Sequence, residues 1–173
     1  MQLPFDDASV DLVACQFGVM FFPDRTAAYT EVARVLGPGG QFLFNTWGPL
    51  ATHDVEATVI DALAETFPDD PPDFLVRVPH GYHDADRVVA DLTAARFGGV
   101  RVETVVLECT AKRAGDLARG YCRGTPLRAE IEARGDLDAT TRAVATALER
   151  RFGTGPVAGR MSALVVSAAA AER

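Results

Sequence analysis

Short apolar runs alternate with amphipathic segments in the first half of the chain. Residues 11–17 are mostly apolar, which predicts a strand that is buried on both faces. Asp24 is placed to cap a helix whose apolar residues are spaced as on one helical face: Tyr29, Val32, Ala33 and Leu36. Residues 37–40, Gly-Pro-Gly-Gly, predict the turn that ends this helix, and residues 41–47 predict a second strand. A strand–helix–strand repeat indicates a parallel sheet.

The second half of the chain continues the same alternation. The predicted elements are a helix through Val59, Ile60, Leu63 and Phe67; a helix that is capped by Asp84 and closed by Gly98; a strand at 100–109; helices at 114–122, 126–134 and 138–152; and a strand at 161–168. No internal repeat or low-complexity linker interrupts the pattern. We therefore expect residues 1–173 to form a single domain of the α/β class.

Composition narrows the class of protein. The 173 residues are 48% hydrophobic and 24% charged, as in soluble globular domains. The formal net charge of −7 argues against a nucleic-acid partner. The chain shows neither an apolar run of membrane-spanning length nor a leader, so a cytoplasmic protein without a membrane partner is expected. Three scattered cysteines predict free thiols rather than disulfides or a metal site. Lys112 is the only lysine among 17 basic residues, a bias typical of GC-rich bacterial genes.

Four consecutive motifs carry a resemblance to a known family. They are residues 3–11 (Leu-Pro-Phe-Asp-Asp-Ala-Ser-Val-Asp), 15–18 (Cys-Gln-Phe-Gly), 21–24 (Phe-Phe-Pro-Asp) and 31–40 (Glu-Val-Ala-Arg-Val-Leu-Gly-Pro-Gly-Gly). In this order and spacing they resemble class I S-adenosylmethionine-dependent methyltransferases of the ubiquinone/menaquinone-methyltransferase-like group. The resemblance implies a partial Rossmann-like sheet with strands in the family order 4-5-7-6, the last strand antiparallel, and helices on both faces.

The same resemblance implies a cofactor and the residues that contact it. S-adenosyl-L-methionine is expected at the carboxyl ends of the strands, in contact with Leu3, Gln16, Phe17 and Gly18. The family's glycine-rich loop, its ribose-binding acidic residue and its adenine-flanking pair would all precede Met1. The chain is therefore expected to be the C-terminal part of a truncated methyltransferase domain.

Methyl transfer from a sulfonium needs an in-line acceptor at about 3–3.5 Å and a site that excludes water, but no protein nucleophile. Aromatic faces can hold the sulfonium, and the candidates for the cofactor and substrate pockets are Phe17, Phe21, Phe22, Trp47 and Tyr82. The alternative, which is the more common one for any single aromatic residue, is that they are ordinary core side chains.

A hydroxyl or acid acceptor calls for a general base, for which His80 and His83 are weak candidates, as is Tyr121 beside Arg119 and Arg123. The alternative is that these histidines and arginines are simply solvated. No set of residues suggests a metal site.

Three functions remain open on the sequence. The first is a methyltransferase for a small-molecule acceptor, inactive as a fragment. The second is a non-catalytic remnant or dimerising module, because the strand at 11–17 carries apolar side chains on both faces and would form an exposed edge. Such an edge predicts either a homodimer, with Val13, Cys15 and Phe17 near the contact, or aggregation, and the homodimer is favoured. The third is half of a nicotinamide-dependent oxidoreductase, which an antiparallel last strand would disfavour.

Overall fold

The computed structural model describes residues 2–171. The strands are β1 (Val10–Gln16), β2 (Leu36–Trp47), β3 (Phe97–Ala111) and β4 (Val157–Ala170). The helices are α1 (Arg25–Val35), α2 (Asp54–Thr66), α3 (Phe74–Arg77), α4 (Ala85–Ala94), α5 (Ala114–Gly124), α6 (Leu127–Glu132) and α7 (Leu137–Phe152), with single 3-10 turns at Val19–Phe21 and Leu50–Thr52. None of the helices in this range has the length and apolar composition of a membrane span.

The four strands form one mixed sheet in the order β1-β2-β4-β3. β1 and β2 are parallel, whereas β4 runs antiparallel to β2. This is the predicted arrangement, with the strand near residues 161–168 between those near 41–47 and 100–109. The α/β class and the antiparallel last strand are thus confirmed, while the family numbering of the strands and the helices on both faces stay predictions.

The predicted start of the second strand at residue 41 is wrong. β2 begins at Leu36, which is paired with Val10, and the next pair is Leu12 with Gln41. Residues 37–40 therefore make an irregular turn inside the strand rather than a turn before it. Gly39 has φ +73°, a left-handed conformation that glycine adopts without steric cost. The predicted turn before the strand is thus an irregularity within β2, and its position in the ladder depends on the pairing with β1.

The described residues divide into two compact units. The first comprises 2–48, 79–105 and 163–171, and the second comprises Pro49–Val78 and Val106–Ser162. A single domain over residues 1–173 stays a prediction. In the first unit, α1 packs on β2, and the rings of Tyr29 and Phe42 are fully buried with their centroids 5.5 Å apart. Burial of each such side chain contributes about 1.5–3 kcal/mol.

The second unit has its own apolar core. Its fully buried side chains include Val59 and Leu63 of α2, Leu127 and Ile131 of α6, and Leu148 of α7. Phe74 and Leu75 of α3 also belong to this core. The sequence analysis missed α3, because a four-residue helix is too short to show a helical period. Its apolar pair is explained only by the core that it fills.

Strand β1 lies at the end of the sheet, so one of its sides is an open edge within the described part of the chain. Leu12 is 54% exposed, whereas Val13 is half-buried and lies in register with the buried Phe42. Open apolar edges are templates for pairing with a second strand. The expected homodimer through residues 11–17 stays a prediction, and Leu12 is the side chain through which to test it.

We expect the chain to self-associate through β1, and Leu12→Lys to leave it monomeric, because a lysine opposes strand addition at a sheet edge. Sedimentation velocity over a concentration series measures this. Val89→Lys is the control, since Val89 is an exposed apolar residue on α4. It should leave self-association unchanged. A wild-type chain that stays monomeric throughout would contradict the prediction.

Candidate functional site

Parallel pairing brings the carboxyl ends of β1 and β2 to one edge of the sheet. Gln16, the last residue of β1, lies in register with Asn45 of β2. Phe17 and Gly18 follow β1, and Trp47 is the last residue of β2. Open α/β sheets bind ligands outside the carboxyl ends of their strands. The predicted cofactor-contacting residues Gln16, Phe17 and Gly18 therefore lie together where such a sheet binds a ligand.

The backbone of Phe17 is strained. Its φ of +48° lies in the left-handed region, which costs a residue with a side chain about 1–2 kcal/mol. The Phe17 N–H donates a 2.7 Å hydrogen bond to the Asn45 Oδ1 atom. This bond between the two parallel strands fixes the direction in which the chain leaves β1. Strained backbone that the surrounding structure enforces is concentrated at functional sites.

The aromatic rings of Phe17 and Trp47 stack on each other. Their centroids are 3.9 Å apart and their planes are inclined by 19°. Such a pair contributes about 0.5–1.5 kcal/mol beyond its buried area. Both side chains are half-buried. The stacked rings therefore lie at the protein surface and remain partly accessible to a ligand. An aromatic face in that position can hold a cation.

Gly18 is required because the chain turns back on Cys15. A Cβ atom at position 18 would lie 2.6 Å from the Cys15 Sγ atom. Gly18 also precedes the 3-10 turn Val19–Phe21, whose Val19 and Met20 side chains are buried. Burial raises the pKa of the Cys15 thiol, so this thiol is held in the protonated form and is a poor nucleophile.

A shallow depression of about 220 Å³ lies on the sheet at this edge. It is lined by Ala14, Cys15, Gln16, Leu43, Phe44, Asn45 and Val165. The lining is apolar apart from the thiol and two amides and carries no charged side chain. Leu43 and Val165 are each about 40% exposed, so the surface is open. It can accept the uncharged part of a ligand, with Gln16 and Asn45 as the hydrogen-bonding groups.

Leu3 lies on an N-terminal segment that is tied to α1. Its N–H donates to Glu31 Oε1 at 2.8 Å, and Arg34 Nη2 donates to the Leu3 and Phe5 carbonyl oxygens. Arg34 also pairs with Glu31 and Asp7. Hydrogen bonds from Arg34 and from the Leu3 N–H lower the pKa of Glu31 to about 2. The structure thus gives Leu3 a fixed backbone, while contact of its side chain with a cofactor stays a prediction.

The two phenylalanines of the predicted substrate pocket differ in exposure. Phe21 is 53% exposed, and Phe22 is half-buried at the end of the 3-10 turn. Neither side chain takes part in the Phe17–Trp47 stack. Phe21 is therefore available at the surface, and Phe22 is partly a packing residue.

Tyr82 is buried in the first unit, at 2% exposure, rather than open to a ligand. Its hydroxyl donates to Asp91 Oδ2 at 3.0 Å and receives a 3.3 Å hydrogen bond from Tyr29. The Arg25 guanidinium lies 4.2 Å from the ring centroid. Burial raises the pKa of Tyr29 to about 12 and that of Tyr82 further. Both phenols stay protonated, so Tyr82 supports the site from within the core.

The two candidate histidines differ in exposure and in their hydrogen bonds. His80 is 4% exposed, and its Nδ1 atom donates to the Gly48 carbonyl oxygen at 2.9 Å, directly after β2. His83 is exposed, and its Nδ1 atom donates to the His80 carbonyl oxygen at 2.5 Å. Because a carbonyl can only accept, the Nδ1 proton of His83 leaves Nε2 as its basic atom. His80 anchors the loop to β2, and His83 presents the accessible imidazole.

Tyr121 belongs to the second unit. Its hydroxyl donates to Glu56 Oε1 at 2.5 Å. Burial, followed by the Glu56 carboxylate, raises the pKa of Tyr121, so this phenol is also held protonated. Within residues 2–171, no group of three or more His, Cys, Asp or Glu side chains is arranged to hold a metal ion.

Asn45 is the site residue that the sequence analysis missed. The sequence predicts only a strand at 41–47, and the one signal for Asn45 is an amide that follows three apolar residues. Its role as the acceptor for the Phe17 N–H depends on the register between β1 and β2, and Gln16 is its partner in that register. The sequence pattern of one strand carries no information about how it is aligned with its neighbour.

Part of the chain is similar in sequence to known methyltransferases. Residues 1–44 match the family described as methyltransferase domain. Over 55 residues the chain is 44% identical to malonyl-[acyl-carrier protein] O-methyltransferase of Erwinia billingiae, a match that covers 32% of this chain and 22% of that protein. Over 52 residues it is 42% identical to demethylmenaquinone methyltransferase of Deinococcus radiodurans, covering 30% and 22%. The chain thus spans about a fifth of the length of these relatives.

Solved structures share the fold. A candidate methyltransferase of Bacillus halodurans C-125 aligns with 98% of this chain and 74% of its own, with a TM-score of 0.57 and 17% identity. The YcgJ protein of Bacillus subtilis aligns with 99% of this chain and 68% of its own, with a TM-score of 0.55 and 20% identity. These structures share the fold of this chain, and the sequence match over residues 1–44 confirms the expected resemblance to methyltransferases.

We expect Asn45→Ala to lower the free energy of unfolding by about 1–3 kcal/mol, because it leaves the strained Phe17 N–H without its acceptor. Urea denaturation measures the change. Asn45→Asp keeps an acceptor oxygen and should recover at least half of the loss. Equal stability of Asn45→Ala and the wild type would show that the Phe17 turn does not need this bond.

We also expect Gly18→Ala to destabilise the chain by about 1–3 kcal/mol through the clash with the Cys15 sulfur. Combining it with Cys15→Ala should remove most of the additional loss, because the clashing atom is gone. Gly98→Ala is the control, since a Cβ there meets no atom within 4 Å. If the double variant is as unstable as the sum of both single variants, the sulfur is not the cause.

Proposed function

We propose that this chain forms part of the catalytic domain of an S-adenosylmethionine-dependent methyltransferase that acts on a small-molecule acceptor. The observation that carries the proposal is the anchored turn at Phe17. It lies inside the segment that matches the methyltransferase domain, at the carboxyl edge of the sheet, and combines strain, an interstrand hydrogen bond and an aromatic stack. Backbone strain of this kind is common at ligand-binding sites, and at Phe17 it coincides with the interstrand hydrogen bond and the stack.

The residues at this edge suit one part of the cofactor. S-adenosylmethionine supplies a methyl group on a sulfonium, which an aromatic face can stabilise. Phe17 and Trp47 provide that face, and the exposed Gln16 amide can donate and accept hydrogen bonds beside the uncharged depression. The depression has no charged side chain for the charged ends of the molecule. We infer that the edge holds a minor share of the cofactor contacts.

The described residues also fit the demands of methyl transfer. The reaction needs positioning and exclusion of water rather than a protein nucleophile, and Cys15 is held protonated. Where the acceptor is a hydroxyl or an acid, His83 is the preferred candidate base, because its imidazole is exposed and Nε2 is its basic atom. His80 then acts as the residue that positions the loop.

Two alternatives are weaker. A nicotinamide-dependent oxidoreductase half is disfavoured, because β4 runs antiparallel to β2 and the sequence match is to methyltransferases. A non-catalytic dimerising module is supported by the open edge of β1, but it leaves the strain at Phe17 without a purpose. Cofactor binding separates this second alternative from the proposed enzyme.

We expect the chain alone to bind S-adenosylhomocysteine with a dissociation constant of about 1 mM or weaker, equivalent to about −4 kcal/mol or less favourable. An NMR titration of labelled protein to several millimolar ligand should shift the amide signals of Gln16, Phe17, Gly18 and Asn45. Gln16→Ala should weaken these shifts. Gln41→Ala, an exposed glutamine four residues before Asn45 on β2, is the matched control.

Two results would count against this account. Micromolar affinity would mean that residues elsewhere in the chain provide most of the binding energy. Shifts that avoid the Phe17 turn, or none at all at the highest concentration, would remove the cofactor from this edge and favour the non-catalytic alternative.

A further inference from the structure

A second concave surface lies within the second unit, between α5 and α7. It is a groove of about 360 Å³ whose walls are one face of each helix. Gly115, Arg119 and Arg123 follow one another at four-residue intervals on α5, and Asp138 and Arg142 do so on α7. Residues four apart lie on the same face of a helix. Gly115 has no side chain and Ala145 has only a methyl group, so neither residue fills the groove.

The groove is positively charged, although the chain as a whole is acidic. Three arginines and one aspartate line it, which gives a net charge of +2 in a chain of net charge −7. Arg123 pairs with Asp138, and Arg119 approaches Asp116 at 3.4 Å. Within the described part of the chain, no carboxylate pairs with the Arg142 guanidinium. Two aspartates therefore leave the three guanidinium groups only partly compensated.

We propose that this groove binds a phosphate group of a small phosphorylated ligand. A phosphate carries about −1.5 to −2 charges at neutral pH and offers three acceptor oxygens, matching both the charge and the number of guanidinium groups. Arginine presents a planar fork of donors that suits such oxygens. A carboxylate offers one charge and two oxygens, so it fits the groove less well. This site is independent of the Phe17 edge.

Titration with inorganic phosphate, followed through the arginine Nε–Hε signals in NMR at constant ionic strength with chloride, tests the proposal. We expect saturable shifts of Arg119, Arg123 and Arg142. Arg142→Ala should weaken binding about tenfold, the effect of losing one strong charge-assisted hydrogen bond. Arg142→Lys, which keeps the charge but loses the fork, should lie between wild type and Arg142→Ala.

Two further variants complete the test. Asp138→Asn removes the one carboxylate in the lining and should tighten phosphate binding severalfold. Arg128→Ala is the matched control, because Arg128 is an exposed helical arginine, on α6, that pairs with Glu132 and lies outside the groove. Its phosphate affinity should equal that of the wild type.

Three results would overturn the proposal. They are the absence of saturable phosphate binding, an equal loss in Arg128→Ala and Arg142→Ala, and malonate binding as tightly as phosphate. The last would identify a dicarboxylate site instead. Since none of these measurements involves S-adenosylhomocysteine, failure here leaves the proposed methyltransferase function untouched.

Discussion

The parallel pairing of β1 with β2 is the constraint on which the candidate site depends. Two parallel strands cannot be joined by a tight hairpin, so the chain between them must cross over, and α1 makes that crossover. α1 contributes Tyr29 to a core that includes Phe42 and Phe44 of β2. The same pairing sets the ends of β1 and β2 side by side, where Asn45 can hold the Phe17 N–H.

The residues at the site edge are held by several contacts. Phe17 is held by Asn45 and Trp47, Gly18 is closed against the Cys15 sulfur, and His80 ties the following loop to Gly48. Behind this edge, Tyr29, Tyr82 and Asp91 form a buried chain of hydrogen bonds. A buried polar chain of this kind stabilises one arrangement when all its members are paired.

The surfaces of the two units differ in polarity and charge, and we therefore propose different ligands for them. In the first unit, the exposed surface of the sheet is apolar and includes the side chains of Leu12, Leu43 and Val165. The groove in the second unit is lined by arginines. An apolar surface with two amides suits an uncharged ligand group or a second strand, whereas partly compensated guanidinium groups suit an anion. Local charge, rather than the net charge of −7, decides what each surface can bind.

The sequence by itself determined the α/β class and most helix positions, and its resemblance to a known family supplied the strand order. Periodicity and capping residues such as Asp24 and Asp84 act over a few positions, so they can be interpreted locally. Only the tertiary structure decided that β2 starts at Leu36 and that residues 74–77 form α3. It also decided that Tyr82 is a core residue and that Asn45 accepts the hydrogen bond of the Phe17 N–H. Each of these depends on a partner distant in the chain, such as Val10 for Leu36 or Asp91 for Tyr82. A local pattern carries no information about such partners.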